Sequence, residues 1–294
     1  MSTKTEVHDF LVSRRARLKP AEAGLRVASG RRRVPGLRRE ELAMLAGVSI
    51  DYYVQLERGD ISGASDGVLD SLAKALHLDD AERDHLFALA RASRTTPVRR
   101  RPAPQTVRRN VQLFLDTITG APAWIQNDRL DILATNALGR ALHAPMFDIQ
   151  AEPVNSARFA FLDRRGPDFF LDWNQTADDF VAVLRGAAGK NPYDKKLTAL
   201  VGELATRSDD FRVRWAAHDV RSHGTGRKRI RHPEVGDLDL MYEGMDLVAE
   251  PGLTMATYTA EPGSVTEDAL RLLGSWNAPD RHALTGAQEA GASS

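Results

Sequence analysis

The chain of 294 residues contains no cysteine. Disulfides, thiolate nucleophiles and cysteine-ligated zinc or iron–sulfur centres are therefore excluded. No run of about 18 apolar residues occurs, and the N-terminus MSTKTEVHDF lacks an apolar signal core, so neither a membrane span nor a secretory leader is expected. Catalytic signatures are missing as well: there is no G-x-S-x-G elbow, P-loop or dinucleotide glycine fingerprint. Gly224-Thr225-Gly226 is a lone GxG among polar residues and reads as a turn. His218-Asp219 with His223 lacks further ligands at metal-site spacing and reads as a hydrogen-bonded dyad. Binding is expected, not turnover, in a cytoplasmic protein without metal.

Net charge is zero, yet its distribution is uneven. Residues 1–104 carry 19 Lys/Arg against 14 Asp/Glu, and residues 105–294 carry 21 against 26, giving +5 and −5. A basic front and an acidic rear suit a nucleic-acid module joined to a second module of different function. Arginine outnumbers lysine 33 to 7, a bias expected of a GC-rich bacterial genome.

The most informative stretch is Leu37–Gly59, LRREELAMLAGVSIDYYVQLERG. A helix over Arg38–Ala46 places Leu42 and Leu45 on one face, with Ala43 small enough for close contact. Gly47 supplies a turn, and Ser49 is a good N-cap for a second helix that buries Tyr53 and Leu56 and stops at Gly59. Ser49, Ile50, Asp51, Tyr52 and Gln55 are then left exposed near its start. This is the pattern of a helix-turn-helix, in which such a helix enters the major groove. Gln55 suits adenine, Asp51 a cytosine amino group and Ile50 a thymine methyl. Tyr52, Arg38 and Arg39 suit phosphates, as do Arg31, Arg32 and Arg33 in the long connection before them.

Around this stretch, periodicity predicts a first helix over Thr5–Leu18 and further helices near Asp66–His77 and Asp79–Ala92. Residues 1–92 thus form an all-α five-helix domain, and 93–104, rich in Pro and Arg, a semi-stiff linker. Residues 105–280 form the second domain, and 281–294 an unstructured tail. The second domain begins with a helix (Thr106–Thr119), strands at Ala123–Asn127 and Leu130–Thr135, and a helix over Ala137–His143. A helical section from Phe169 to about His218 follows, broken near Gly189–Pro192. Three apolar segments (Arg229–His232, Leu238–Val248, Leu253–Ala260) and a last helix over Ser264–Leu273 close it. Two strands, helices, then a three-strand meander make an α+β fold with an antiparallel sheet.

Leu37–Gly59 resembles the helix-turn-helix of the Xre/Cro repressor family, including its closing Glu57-Arg58-Gly59. The words PAWIQNDRLDILATN, RVRWAAHDVR, RHPEVGDLDL and YTAEPGS, in this order, resemble the subset carrying an MmyB-like domain. The resemblance implies that Arg14 or Arg15 pairs with Glu57. It also implies a PAS-like second domain holding a small apolar effector, a fatty acid in at least some members. Trp124, Phe180, Trp215, Met241 and Tyr258 are candidates to line that site, although such residues also build cores. Arg212, Arg214 and Arg229, with His218 in the same word as the first two, are candidates to meet a carboxylate. The expected partners are operator DNA, the effector and a second copy in a homodimer at the nucleoid. The alternative keeps the DNA-binding front and makes the rear a ligand-free dimerisation or protein-interaction module.

Overall fold

The computed structural model describes residues 3–25, 34–94, 106–148, 153–217 and 224–276. The first part holds helices α1 (Thr3–Arg17), α2 (Arg39–Leu45), α3 (Ile50–Glu57), α4 (Asp66–Ala75) and α5 (Asp80–Arg94). Then come α6 (Arg109–Thr117), strands β1 (Ala123–Asn127) and β2 (Asp131–Thr135), α7 (Ala137–Leu142), α8 (Ala144–Phe147) and β3 (Val154–Asn155). Five helices follow: α9 (Ser156–Leu162), α10 (Gly166–Phe169), α11 (Trp173–Lys190), α12 (Lys195–Arg207) and α13 (Asp209–Ala216). Strands β4 (Thr225–His232), β5 (Gly236–Asp246) and β6 (Leu253–Thr259) and helix α14 (Val265–Trp276) close the described chain. These elements form two compact units: Met1–Pro102 with Ala177–His223, and Ala103–Thr176 with Gly224–Ser294.

In the first unit the five predicted helices are present, and their ends follow local chemistry. Glu41 accepts the Arg38 backbone N–H at 2.7 Å at the start of α2. The chain leaves that helix through Gly47 at φ +66°, where only glycine is unstrained. Ser49 and Ser65 cap α3 and α4 by accepting from Tyr52 N–H at 3.2 Å and Val68 N–H at 3.3 Å. The inner faces bury Val7, Phe10 and Leu11 of α1 with Leu42, Tyr53, Leu56, Leu69, Leu72, Leu86 and Leu89 in one core. Two buried carboxylates tie α1 down. Glu82, also part of the α5 cap, meets Arg14 at 2.9 Å and Arg17 at 2.8 Å, and Glu57 meets Arg15 at 2.8 Å. The first unit also contains α12, α13 and α11 from Ala177 onward, held to α1 by an Arg185–Glu6 pair at 2.5 Å.

The second unit is an antiparallel sheet in the order β3-β2-β1-β6-β5-β4. It is the expected PAS-like arrangement, extended at one edge by a two-residue strand too short for the sequence pattern to reveal. Side chains alternate along each strand, giving the sheet two distinct faces. On one, Ala123 and Ile125 of β1 and Leu253 and Met255 of β6 pack with Leu115 of α6. The other carries Trp124, Ala256, Tyr258 and Tyr242, in register across β1, β6 and β5. Asn136 joins α7 to this sheet: its side-chain oxygen accepts from Ala123 and Gly139 N–H, and its amide donates to the Ile118 and Ala121 carbonyls. Of the expected linker 93–104, Ser93 and Arg94 belong to α5, and residues 95–104, the tail 281–294, Arg31, Arg32, Arg33 and His218 lie outside the described residues.

Candidate nucleic-acid interface and ligand site

Helix α3 presents Ile50 (41 % exposed) and Asp51 at its start and Gln55 one turn further on to solvent, while Tyr53, Leu56 and Glu57 face inward. Tyr52 is half-buried and packs against the core of the domain, so it is less available to a phosphate than its position in the motif suggests. Arg38 is exposed at the start of α2.

Behind this surface lies a four-membered node. The Glu57 carboxylate, 1 % exposed, accepts from Arg15 Nε at 2.8 Å and Nη2 at 3.2 Å, from Tyr53 OH at 2.7 Å and from Arg39 Nε at 2.7 Å. Arg15 also donates to the Leu37 carbonyl at 2.9 Å, and His8 Nδ1 lies 2.8 Å from the Glu57 carbonyl. Burial alone would raise the Glu57 carboxyl, but hydrogen bonds from Arg15, Tyr53 and Arg39 outweigh it and hold the group below the ordinary carboxylate range. Burial next to that carboxylate pushes the Tyr53 hydroxyl up, so it stays a donor. The node locks α3 against α1 and α2. Arg39 is thus tethered at one end, but its side chain remains 52 % exposed on the α2 side of that surface.

In the second unit, four rings converge on one face of the sheet. Trp124 lies 4.8 Å from His143 and 4.9 Å from Tyr258 between ring centroids, and Tyr242 lies 5.8 Å from Tyr258. All four are at most 5 % exposed. His143 is lowered to about 4 by burial, only partly offset by its hydrogen bond to the Gly139 carbonyl at 2.9 Å. It is therefore neutral at pH 7, and because a carbonyl can only accept, its Nδ1 carries the proton. Lys228 of β4 shares this face through the register Lys228↔Leu240 and Gly226↔Tyr242. It is 4 % exposed, with Nζ 3.3 Å from Thr176 Oγ1.

Residues 107–273 match the family described as MmyB-like transcription regulator ligand binding domain, and residues 13–86 match a helix-turn-helix domain. The chain belongs to the MmyB-like transcription regulators. A comparison with curated proteins finds no match. The protein is thus a DNA-binding transcription regulator with a ligand-binding C-terminal part, and both matching families are regulatory, not enzymatic. Among the described residues no helix is long and apolar enough to cross a membrane, and no cluster of three or more His or acidic side chains could hold a metal.

The MmyB-like match runs through both compact units, since its residues 177–223 pack in the unit that contains the helix-turn-helix. The candidate ligand residues are divided accordingly. Trp124 and Tyr258 lie together in the ring cluster of the second unit. Met241 and Arg229 are on the opposite face of that sheet, at its exposed β4–β5 end: Met241 is 50 % exposed, and Arg229 donates to Asp172 from Nε at 2.7 Å. Strand alternation explains it, because Arg227, Arg229 and Arg231 share one parity and Lys228, Ile230 and His232 the other. Phe180, Arg212, Arg214 and Trp215 belong to the first unit. Arg212 is exposed and pairs with Asp209 at 2.9 Å, and Arg214 donates to Asp178. Trp215 is buried beneath the Arg185 guanidinium, 4.2 Å from its ring centroid. Sequence reading passed over His143 and Lys228. The alternation in TGRKRIRH, which puts Lys228 in phase with Ile230 and out of phase with three arginines, was the available signal for the latter.

Proposed function

We propose that the protein is a homodimeric one-component regulator that reads an operator with the start of α3 and senses a small apolar molecule, with fatty acids as the candidate class. The reading rests chiefly on α3. Its inward face is fixed by the Glu57 node, while Ile50 and Asp51 at its start and Gln55 one turn on are exposed, on the side where a recognition helix meets base edges. Arg38 and Arg39 flank it for phosphate contact. One such module reads only a few base pairs, so two copies on half-sites about 34 Å apart would supply specificity.

For the effector, the buried ring face of Trp124, Tyr242 and Tyr258 offers apolar contact, and Lys228 at its side supplies a cation for an acyl carboxylate. Operator selection from a random duplex pool, followed by sedimentation and native mass spectrometry of the purified chain, tests the whole reading. Recovery of a two-fold symmetric site, a dimer and a co-purifying acyl chain is the expected result. A dimer free of any small molecule, which no fatty acid binds on titration, would favour a rear part that serves only in assembly.

A further inference from the structure

Within the first unit, α11 from Ala177, α12 and α13 pack directly on the first and last helices of the DNA-binding domain. The fit is specific at two points. Gly189 of α11 stacks against His85 of α5 so closely that an added Cβ would lie 2.5 Å from the imidazole Cε1. Arg185, fully buried, donates from Nη1 to Glu6 of α1 at 2.5 Å and from Nη2 to the Trp215 carbonyl, with its plane over the Trp215 ring. Trp215 in turn stacks on Phe211 with centroids 5.5 Å apart.

Beside these contacts the helices leave a pocket of about 350 Å³. Its walls come from two sources: Glu6 and Leu89 from the DNA-binding domain, and Leu197, Val201, Gly202 and Trp215 from the rear helices. The volume is in the lower range for small-molecule sites, and the lining is dominated by apolar groups, as such sites require. Among the described wall residues the one with an acidic or basic side chain is Glu6, whose carboxylate already faces Arg185. A ligand carboxylate would be brought up to an existing carboxylate, with no cation among the described wall residues to compensate it. The other polar wall groups, among them Asn191 and Thr198, can hydrogen-bond a neutral head group.

We propose that this pocket is a second small-molecule site, selective for a neutral apolar ligand such as a medium-chain alcohol, ester or amide, whose occupancy is felt directly by α1 and α5. It is distinct from the sheet-face site suggested above, which offers Lys228 to an acid. A ligand here touches the DNA-binding domain itself, so it can bias that domain without passing through the linker.

The test uses the full chain and the neutral fluorescent probe N-phenyl-1-naphthylamine, with 1-decanol and decanoate as competitors at pH 7.5. Gly202→Leu is the blocking variant. A Cβ at Gly202 meets no atom within 4 Å, so the larger side chain projects into the pocket without displacing structure. Ala205→Leu is a second blocking variant. The expected result is probe binding that decanol displaces and decanoate does not, weakened at least ten-fold by either variant at unchanged thermal midpoint. Decanol should also slow amide exchange in Thr3–Arg17 of the wild type and not of Gly202→Leu. Probe binding that both variants leave intact, or that decanoate displaces as readily as decanol, overturns the proposal. So does a Gly202→Leu chain whose only change is in its sedimentation, which would make the groove an interface with a second copy. Decanoate binding that persists in Gly202→Leu supports the separateness of the two sites, and its absence from wild type would count against the fatty-acid reading alone.

Discussion

Replacing Glu57 by Gln tests whether the node behind the recognition helix holds the DNA-binding domain together. The substitution keeps size and removes charge. Arg15, 12 % exposed, then has a guanidinium inside the protein facing a neutral amide, and the Tyr53 hydroxyl competes for the remaining acceptor. Breaking a buried pair by removing one partner costs about 3–5 kcal/mol. Arg39 is half-exposed, so its share is discounted to at most about 1 kcal/mol. Gln retains one acceptor oxygen, which places the expectation near the lower end, at about 3 kcal/mol. At roughly 2–4 °C per kcal/mol for a unit of this size, the midpoint should fall by roughly 6–12 °C.

Circular dichroism melts of the full chain, wild type against Glu57→Gln, supply the measurement. The pH dependence has a definite sign. Because the folded-state carboxyl lies below the ordinary 4.5, its contribution is complete above pH 4.5 and is lost as pH falls through the folded value. The gap between wild type and variant should therefore be constant from pH 7 to 5 and shrink below 4.5. A loss under about 1 kcal/mol at pH 7, or a gap that does not narrow in acid, would refute the reasoning. Arg39→Gln should cost under about 1 kcal/mol in the same assay, because water can replace the lost partner.

Three further outcomes are expected. Gln55→Ala should weaken cognate operator binding by about 1–3 kcal/mol and spare non-specific binding, whereas Arg38→Ala should weaken both and reduce the salt slope by about one unit; titrations of two duplexes at several salt concentrations distinguish them. His143, lowered from 6.5 to about 4, should make unfolding of the sheet unit easier by about 1.4 kcal/mol per pH unit as pH falls from 6.5 toward 4, and His143→Asn should flatten that dependence in urea titrations. Gly59→Ala should cost more than about 2 kcal/mol, since φ is +93° and the new Cβ would lie 2.7 Å from Lys4 Cα; Gly47→Ala, at φ +66° with open space around it, should cost only about 1–2 kcal/mol in the same melts.

The sequence by itself determined the DNA-binding domain, because its signals are local. Gly47, Ser49 and Gly59 each fix a turn or cap within a few residues, and apolar spacing fixes which face of each helix is buried. The strands β1, β4, β5 and β6 were legible for the same reason, with ends shifted by a few residues where alternation met a turn. Even the Arg15–Glu57 pair, 42 residues apart, was expected, because the family resemblance fixed its partner and left only Arg14 or Arg15 to choose.

What tertiary structure alone decided is where each buried face goes. An amphipathic helix announces that it is covered and not by what, so α12 and α13 gave no sign that they pack with α1 and α5. Arg14 and Arg15 are one position apart, yet helix rotation sends one to Glu82 and the other to Glu57. Arg229 and Lys228 are likewise neighbours, and strand pleat sends one to solvent and the other into the buried face of the sheet. Neighbours in the chain take opposite partners because direction, set by backbone geometry and packing, is a property that residue type does not carry.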